Sequence, residues 1–387
     1  MYEDCTFVRD ERQRADTLDS GARQREPVYL RGVRTTTLLV IFVVACKSSS
    51  QEPPNAKSVD RPAPAATTTT EPQKPSASIA AIALPGGGAD GVAMDYLLFD
   101  PRTKTVWVPA GNTGSVDVID VATGNVSRID GFPTKEMERN GKKRVVGPSS
   151  ATLGPPGIVY VGNRGDSTVC AVDESKLAKG TCGKVDSMPD GIAYVDKTKE
   201  VWVTTPRDKS IRILDATTLA QKAKLDFDGE PEGFAPDGTR GRFYTNLEDK
   251  DVTLAIDLES HKTVATWPTK CGEQGPHGLR LAEPEGFLLV ACSTRVETID
   301  VGHDGAQLGS VDTGDGVDDF DYDAAAHKVY VGAARSAKLT VASIDTKGRL
   351  AAVATTPTKE GARNGVVVNG KVYLAHSKGS ELLVASP

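Results

Sequence analysis

Aromatic residues make up only 5% of this 387-residue chain, with three tryptophans and four methionines. No apolar run approaches the ~20 residues that a helix needs to cross a bilayer. The motif inventory is equally bare. There is no G-x-S-x-G elbow, H-E-x-x-H, P-loop or dinucleotide fingerprint, so the familiar signatures of serine hydrolases, zincins and nucleotide-binding folds are excluded. The glycine-rich GGGADG (86–91) is no phosphate cradle, because no helical pattern follows it. No C-x-x-C or Cys/His spacing suggests zinc or haem. Basic charge is scarce as well: the net charge is −6, and residues 1–45 balance seven basic against seven acidic side chains, so the remainder carries all of it. Such a body lacks the positive footprint of a duplex nucleic-acid binder. Its one basic stretch, KEMERNGKKR (135–144), is interleaved with Glu136 and Glu138 and reads as a solvated loop.

What the chain has instead is valine, threonine and 38 glycines in short segments, a composition that favours strands. From residue 77 one pattern returns. VWVPA (106–110), VYVGN (159–163), VWVTT (201–205), RFYTN (242–246), LLVAC (288–292), VYVGA (329–333) and VYLAH (372–376) start 53, 42, 41, 46, 41 and 43 residues apart. A period of 40–45 residues holding several strands marks propeller blades, because one four-stranded sheet cannot cover both its faces alone. An insertion at 132–147 accounts for the long interval. A second β-rich segment follows each of the first six and closes on Asp120, Asp173, Asp215, Asp257, Asp300 or Asp345. A carboxylate there accepts turn N–H groups, which is a structural duty. The last repeat lacks a fourth strand, and ASIAAIALPGGG (77–88) matches one. The expected fold is therefore all-β: a seven-bladed β-propeller over 77–387, its last blade closed by residues 77–85.

The segment EPEGFAPDGTRGRFYTNLEDKDVTLAIDLESHKTVATW (230–267) resembles the YVTN-type repeat of YncE-like and surface-layer β-propeller proteins, and the resemblance extends over 77–387. Blade two departs from it with Ser149-Ser150, and blade six with Val317-Asp318-Asp319.

Upstream, Arg31 and Arg34 precede LLVIFVVA (38–45) and Cys46. Eight apolar residues suit a signal-peptide core. Val-Val-Ala-Cys resembles the lipobox of bacterial lipoproteins, which implies removal of residues 1–45 and lipidation of Cys46. Lys47 at the next position implies the outer membrane, with the inner membrane and cell surface as alternatives. Residues 46–76, rich in Pro, Ser and Thr, are expected to be a disordered tether, about 30 Å end to end if treated as a flexible coil. Setting Cys5 and Cys46 aside leaves four cysteines. Cys170 with Cys182, and Cys271 with Cys292, are candidate disulfides in an oxidising compartment, with buried thiols as the alternative.

The loops that open each blade converge on one mouth of the central channel. Aligning them places Asp90, Ser149, Asp190, Glu232, His277, Asp318 and Asn364 on a polar ring. Clustered carboxylates repel one another, so a hard cation such as Ca2+, or another divalent cation, is the expected guest, with Asp90, Asp190, Glu232 and Asp318 as candidate ligands. A water-filled channel needs none. The leading expectation is a monomeric, non-enzymatic envelope propeller that binds an envelope protein or a small polar ligand. The alternative is a metal-assisted hydrolase or lyase resembling gluconolactonase or streptogramin lyase propellers, with Glu232 or His277 as base. A quinone-cofactor dehydrogenase lacks its tryptophan-docking repeats here.

Overall fold

Val, Ile and Thr crowd the segments between turns. Apolar side chains there project to both faces of the extended chain, so each strand needs cover on two sides. The structure, a computed structural model, describes residues 78–139 and 141–387. They form seven four-stranded antiparallel sheets around a common axis, a seven-bladed β-propeller. The expectations for residues 1–45, Cys46 and the tether lie outside the described residues.

Blade three shows the plan: Ile192–Val195, Glu200–Thr205, Ser210–Asp215 and Gln221–Asp226 pair in that order. Blades one, two, four, five and six span 98–129, 148–184, 231–268, 276–312 and 321–357. Blade seven takes three strands from the C-terminal end of the chain, and its fourth is Ser78–Ala83, antiparallel to Glu381–Ser386 with Ser78 opposite Ser386. Glycine is required at the closure. Gly91 has φ +74°, and a Cβ there would lie 1.9 Å from the Ser377 carbonyl oxygen. That carbonyl accepts the Val92 N–H at 3.0 Å, which fixes the closing loop to blade seven.

The second strand of each blade is buried on both faces, while fourth strands such as Gln221–Asp226 lie largely exposed at the rim. Period-two alternation explains where the core sits. Val201 and Val203 pack toward blade two, whereas Trp202 between them packs toward blade four and stacks on Phe243 at 4.5 Å. Each pair of neighbouring blades shares one apolar cluster in this way, and the cluster joining Val366, Tyr373 and Leu382 to Val106, Val108 and Ile119 completes the ring between blades seven and one. Burying one such side chain contributes about 1.5–3 kcal/mol.

The repeated aspartates serve the turns. Asp120 accepts from Thr123 N at 2.7 Å, Asp215 from Thr218 N at 2.8 Å and Asp257 from Ser260 N at 2.9 Å, and these bonds hold all three carboxyls below their ordinary range. One segment departs from expectation. The basic stretch is a β-hairpin, Lys135–Arg139 paired with Lys142–Val146, rather than an irregular loop. The Asn-Gly pair at its centre, between two segments of alternating character, is a hairpin signal that outweighs the charge run.

Candidate binding site at the channel mouth

First strands of the blades start near the axis, and the turns between second and third strands open on the same end. Together they line a cavity of about 560 Å3 whose walls include Asp95, Arg164, Asp190, Arg207, Glu232, Glu248, Asp318 and Arg363. A second cavity of about 490 Å3 shares Glu248, Asp318 and Arg363 with it and adds His277 and Ser293.

Of the seven expected ring residues, Asp190, Glu232, His277 and Asp318 line these cavities. Asp90 does not. It is exposed in the turn closed by the Gly91 N–H to Gly88 C=O bond, and Asp95 takes the blade-one position. The register explains the error. Asp190, Glu232, His277 and Asp318 each stand ten residues before their blade's second strand, as Asp95 does before Thr105, whereas Asp90 stands fifteen before it and shares only the local Asp-Gly pair with Asp190-Gly191. Ser149 is buried and donates to the backbone carbonyls of Pro189 at 3.1 Å and Asp190 at 3.2 Å, so it ties blade two to blade three. Asn364 is also buried. Its Nδ2 donates to Asp318 Oδ2 at 3.0 Å and Asp95 Oδ1 at 3.3 Å, and its Oδ1 accepts from Asp319 N at 3.0 Å.

Arginines that the loop alignment did not single out neutralise most of the carboxylates. Arg164 pairs with Asp95 at 2.7 Å and also with Asp190, joining blades one, two and three. Arg363 lies 3.1 Å from Asp318, and Arg280 holds Asp319 at 2.7 Å. Glu232 has no arginine partner among the described residues; its cation is His277. The imidazole Nε2 meets Ser293 Oγ at 3.0 Å. Its buried Nδ1 lies 3.3 Å from Glu248 Oε1 and 3.8 Å from Glu232 Oε2, with hydrogen-bonding geometry to neither.

Protonation follows from this crowding. Burial opposes a charge on His277, but Glu232, Glu248 and Asp318 outweigh it and raise the imidazole to about 10. Burial also pushes Glu232 well above the usual carboxylate range, reinforced by Asp318 and Glu248 and opposed by His277. Asp95 rises to about 7, chiefly through burial, with Arg164 opposing and Asp190 and Asp318 adding to it. A neutral-pH mouth therefore holds a protonated His277 among more carboxylates than it can balance.

Ligand atoms of Glu232, His277 and Asp318 lie within 4.8 Å of one another. Of the four expected carboxylate ligands, Asp90 lies elsewhere and Asp190 pairs with Arg164, which leaves Glu232 and Asp318 in the cluster. Two carboxylates and one imidazole instead suit a borderline divalent ion such as Mn2+ or Zn2+.

Away from the mouth, Cys170 is bonded to Cys182 directly across paired strands of blade two. Cys271 is bonded to Cys292, the residue before Ser293, so that bridge ties the loop entering blade five to the strand end that carries the His277 partner.

No family model and no curated protein matches the chain. Solved structures do. Virginiamycin B lyase from Staphylococcus aureus is similar with a TM-score of 0.63 at 10% identity, over 80% of this chain and 99% of that one. A catalytically inactive histidine-to-alanine variant of that lyase with quinupristin gives 0.61 at 11%, over 80% and 99%. A chain of the mitotic checkpoint complex gives 0.65 at 14%, over 86% and 98%. The fold is shared. At these identities the likeness extends to the fold alone.

Proposed function

We propose that the protein is a binding propeller of YncE-like type, tethered to the cell envelope through Cys46, whose channel mouth takes a divalent cation together with a small polar ligand. The observation that carries this reading is the cluster of Glu232, His277 and Asp318, with ligand atoms within 4.8 Å of one another, where the two cavities of the channel mouth adjoin. Glu232 and Asp318 would supply carboxylate oxygens, and His277 would supply Nδ1 on giving up the proton it carries at neutral pH. A bound cation would relieve the repulsion that now retains protons there. Titration calorimetry of the wild type with manganese, zinc, magnesium and calcium tests the site. One equivalent of manganese or zinc, lost in Asp318→Asn, is the expected result, and failure of all four ions to bind sinks it. The anchor has its own test. Cys46→Ala should move the protein from the membrane to the soluble fraction, and a wild type that already fractionates as soluble would refute it.

A second reading is a lyase or hydrolase, as in the similar propeller that a histidine-to-alanine change inactivates. The observation favouring it is the displaced protonation of Glu232 and His277, whose ligand atoms lie within 4.8 Å of each other at the channel mouth. His277, already protonated, is then the donor, and Glu232 serves as acceptor only once it has lost the proton that burial favours. Lactone hydrolysis no faster in the wild type than in His277→Ala would end this reading.

A further inference from the structure

Among the described residues, one connection between blades carries extra strands, the hairpin Lys135–Arg139 and Lys142–Val146 between blades one and two. Its strands pair Met137 with Arg144 and Lys135 with Val146, so those four side chains share a face. Met137, Arg144 and Val146 line the larger cavity. Glu136 and Lys143 stand on the opposite face, where they pair with each other at 2.8 Å. The hairpin also reaches blade three, since Arg207 Nη2 lies 3.7 Å from Met137 Sδ. Arg207 lines the same cavity from the turn Pro206–Asp208.

These two arginines differ from the others at the mouth. Arg164 is paired with Asp95 and Asp190, and Arg363 with Asp318. Arg144 and Arg207 have no carboxylate partner among the described residues, although the protein is acidic overall and places Glu232 and Asp318 on the same cavity. The cavity therefore has one acidic wall and one wall of uncommitted guanidinium groups flanking a methionine. A guanidinium offers a fork of N–H donors that matches carboxylate and phosphate oxygens.

We propose that Arg144 and Arg207 form an oxyanion subsite, built by the hairpin insertion, and that the cavity takes a small molecule bearing a carboxylate or phosphate group. This rests on reading the channel mouth as a binding site, but not on the cation. The anion lies against the hairpin and blade three, while the acidic wall faces the ligand's cationic end or a cation bound with it.

The test uses metal-free protein and two probes, inorganic phosphate and succinate, each titrated by calorimetry. The expected result is one equivalent bound by the wild type with at least one probe. Affinity should fall at least about tenfold in Arg144→Gln/Arg207→Gln and stay unchanged in Lys143→Gln, whose side chain is on the outer face. Preference between the probes distinguishes a phosphate from a carboxylate ligand, and either supports the subsite. Equal affinity of the double variant and the wild type overturns the proposal, as does equal weakening by Lys143→Gln, which would reveal a diffuse basic surface. Absence of binding by both probes overturns it too. The cation titration is read separately. Anion binding without cation binding leaves the subsite standing and removes the metal, whereas cation binding without anion binding removes the subsite alone.

Discussion

The interfaces between blades and the channel mouth are built on opposite plans. Every interface repeats one arrangement, in which alternate side chains of doubly buried second strands meet their counterparts from the next blade. The mouth repeats a position without repeating a residue throughout, since only blades one, three and six place aspartate there. The corresponding position is Asp95 in blade one, buried Ser149 in blade two, Glu232 in blade four, His277 in blade five and Asn364 in blade seven. The interfaces draw on apolar area, which is additive and forgiving of identity. The mouth depends on individual charges held against burial, so a single substitution there changes protonation across several blades. Stability and function should accordingly separate by region.

Removing the closing strand would break that comparison most severely. A chain lacking residues 78–83 leaves Glu381–Ser386 without its partner and exposes a sheet edge. Loss of a single cooperative unfolding transition, with self-association visible in light scattering, is expected. Next comes Trp202→Ala. It empties a fully buried site against Phe243 and strips Glu200 of the indole N–H that it accepts at 3.2 Å. A loss of about 3–5 kcal/mol in chemical denaturation is expected. Affinities at the mouth, measured on the folded fraction, should stay unchanged.

The same contrast governs what was legible in the sequence. Blade number, the second and third strands and the closing strand follow from period-two alternation and spacing, which the interfaces impose on every repeat. The mouth keeps a common register in five blades but no common residue type. Asp90 was matched by local resemblance, while counting back ten residues from Thr105 points to Asp95. Arg164, Arg207 and Glu248 sit just after second strands, a register that carries turn residues elsewhere in the fold, so only their charge hinted at a role. That Arg164 clasps two carboxylates from different blades is a tertiary fact with no local signature.

A pH titration sharpens the comparison at smaller scale. His277 is raised from an ordinary 6.5 to about 10 in the folded protein. Because the folded value lies above the unfolded one, the protonated imidazole contributes stability that is fully present below about pH 6.5 and is lost as pH rises through about 10. The stability difference between wild type and His277→Gln should be largest near pH 6, on the order of 2 kcal/mol, and shrink steadily toward pH 10. Trp202→Ala should show a difference that is flat over the same range. A flat profile for His277→Gln would mean that the carboxylates around it are screened by water and that the mouth is electrically slack.

Glu232→Gln should have the smallest effect on folding and a large one on binding. Burial and two neighbouring carboxylates push Glu232 well above its usual range, so its charge is already disfavoured and an amide of the same shape costs the fold little. The substitution removes a desolvated acid and leaves His277 with Glu248 at 3.3 Å, so stability should change by less than about 1 kcal/mol, with a gain as acceptable as a loss. Affinity for manganese or zinc should fall at least about tenfold, because an amide oxygen carries no charge to offset the dehydration of the ion. Denaturation midpoints and calorimetric titrations on the same preparations give both numbers. If Glu232→Gln instead costs more than about 2 kcal/mol while ion affinity is unmoved, Glu232 is the buried counter-ion of His277 and a fifth blade-to-blade clip beside those made by Arg164, Arg280, Arg363 and Asn364, and the mouth then belongs with the interfaces.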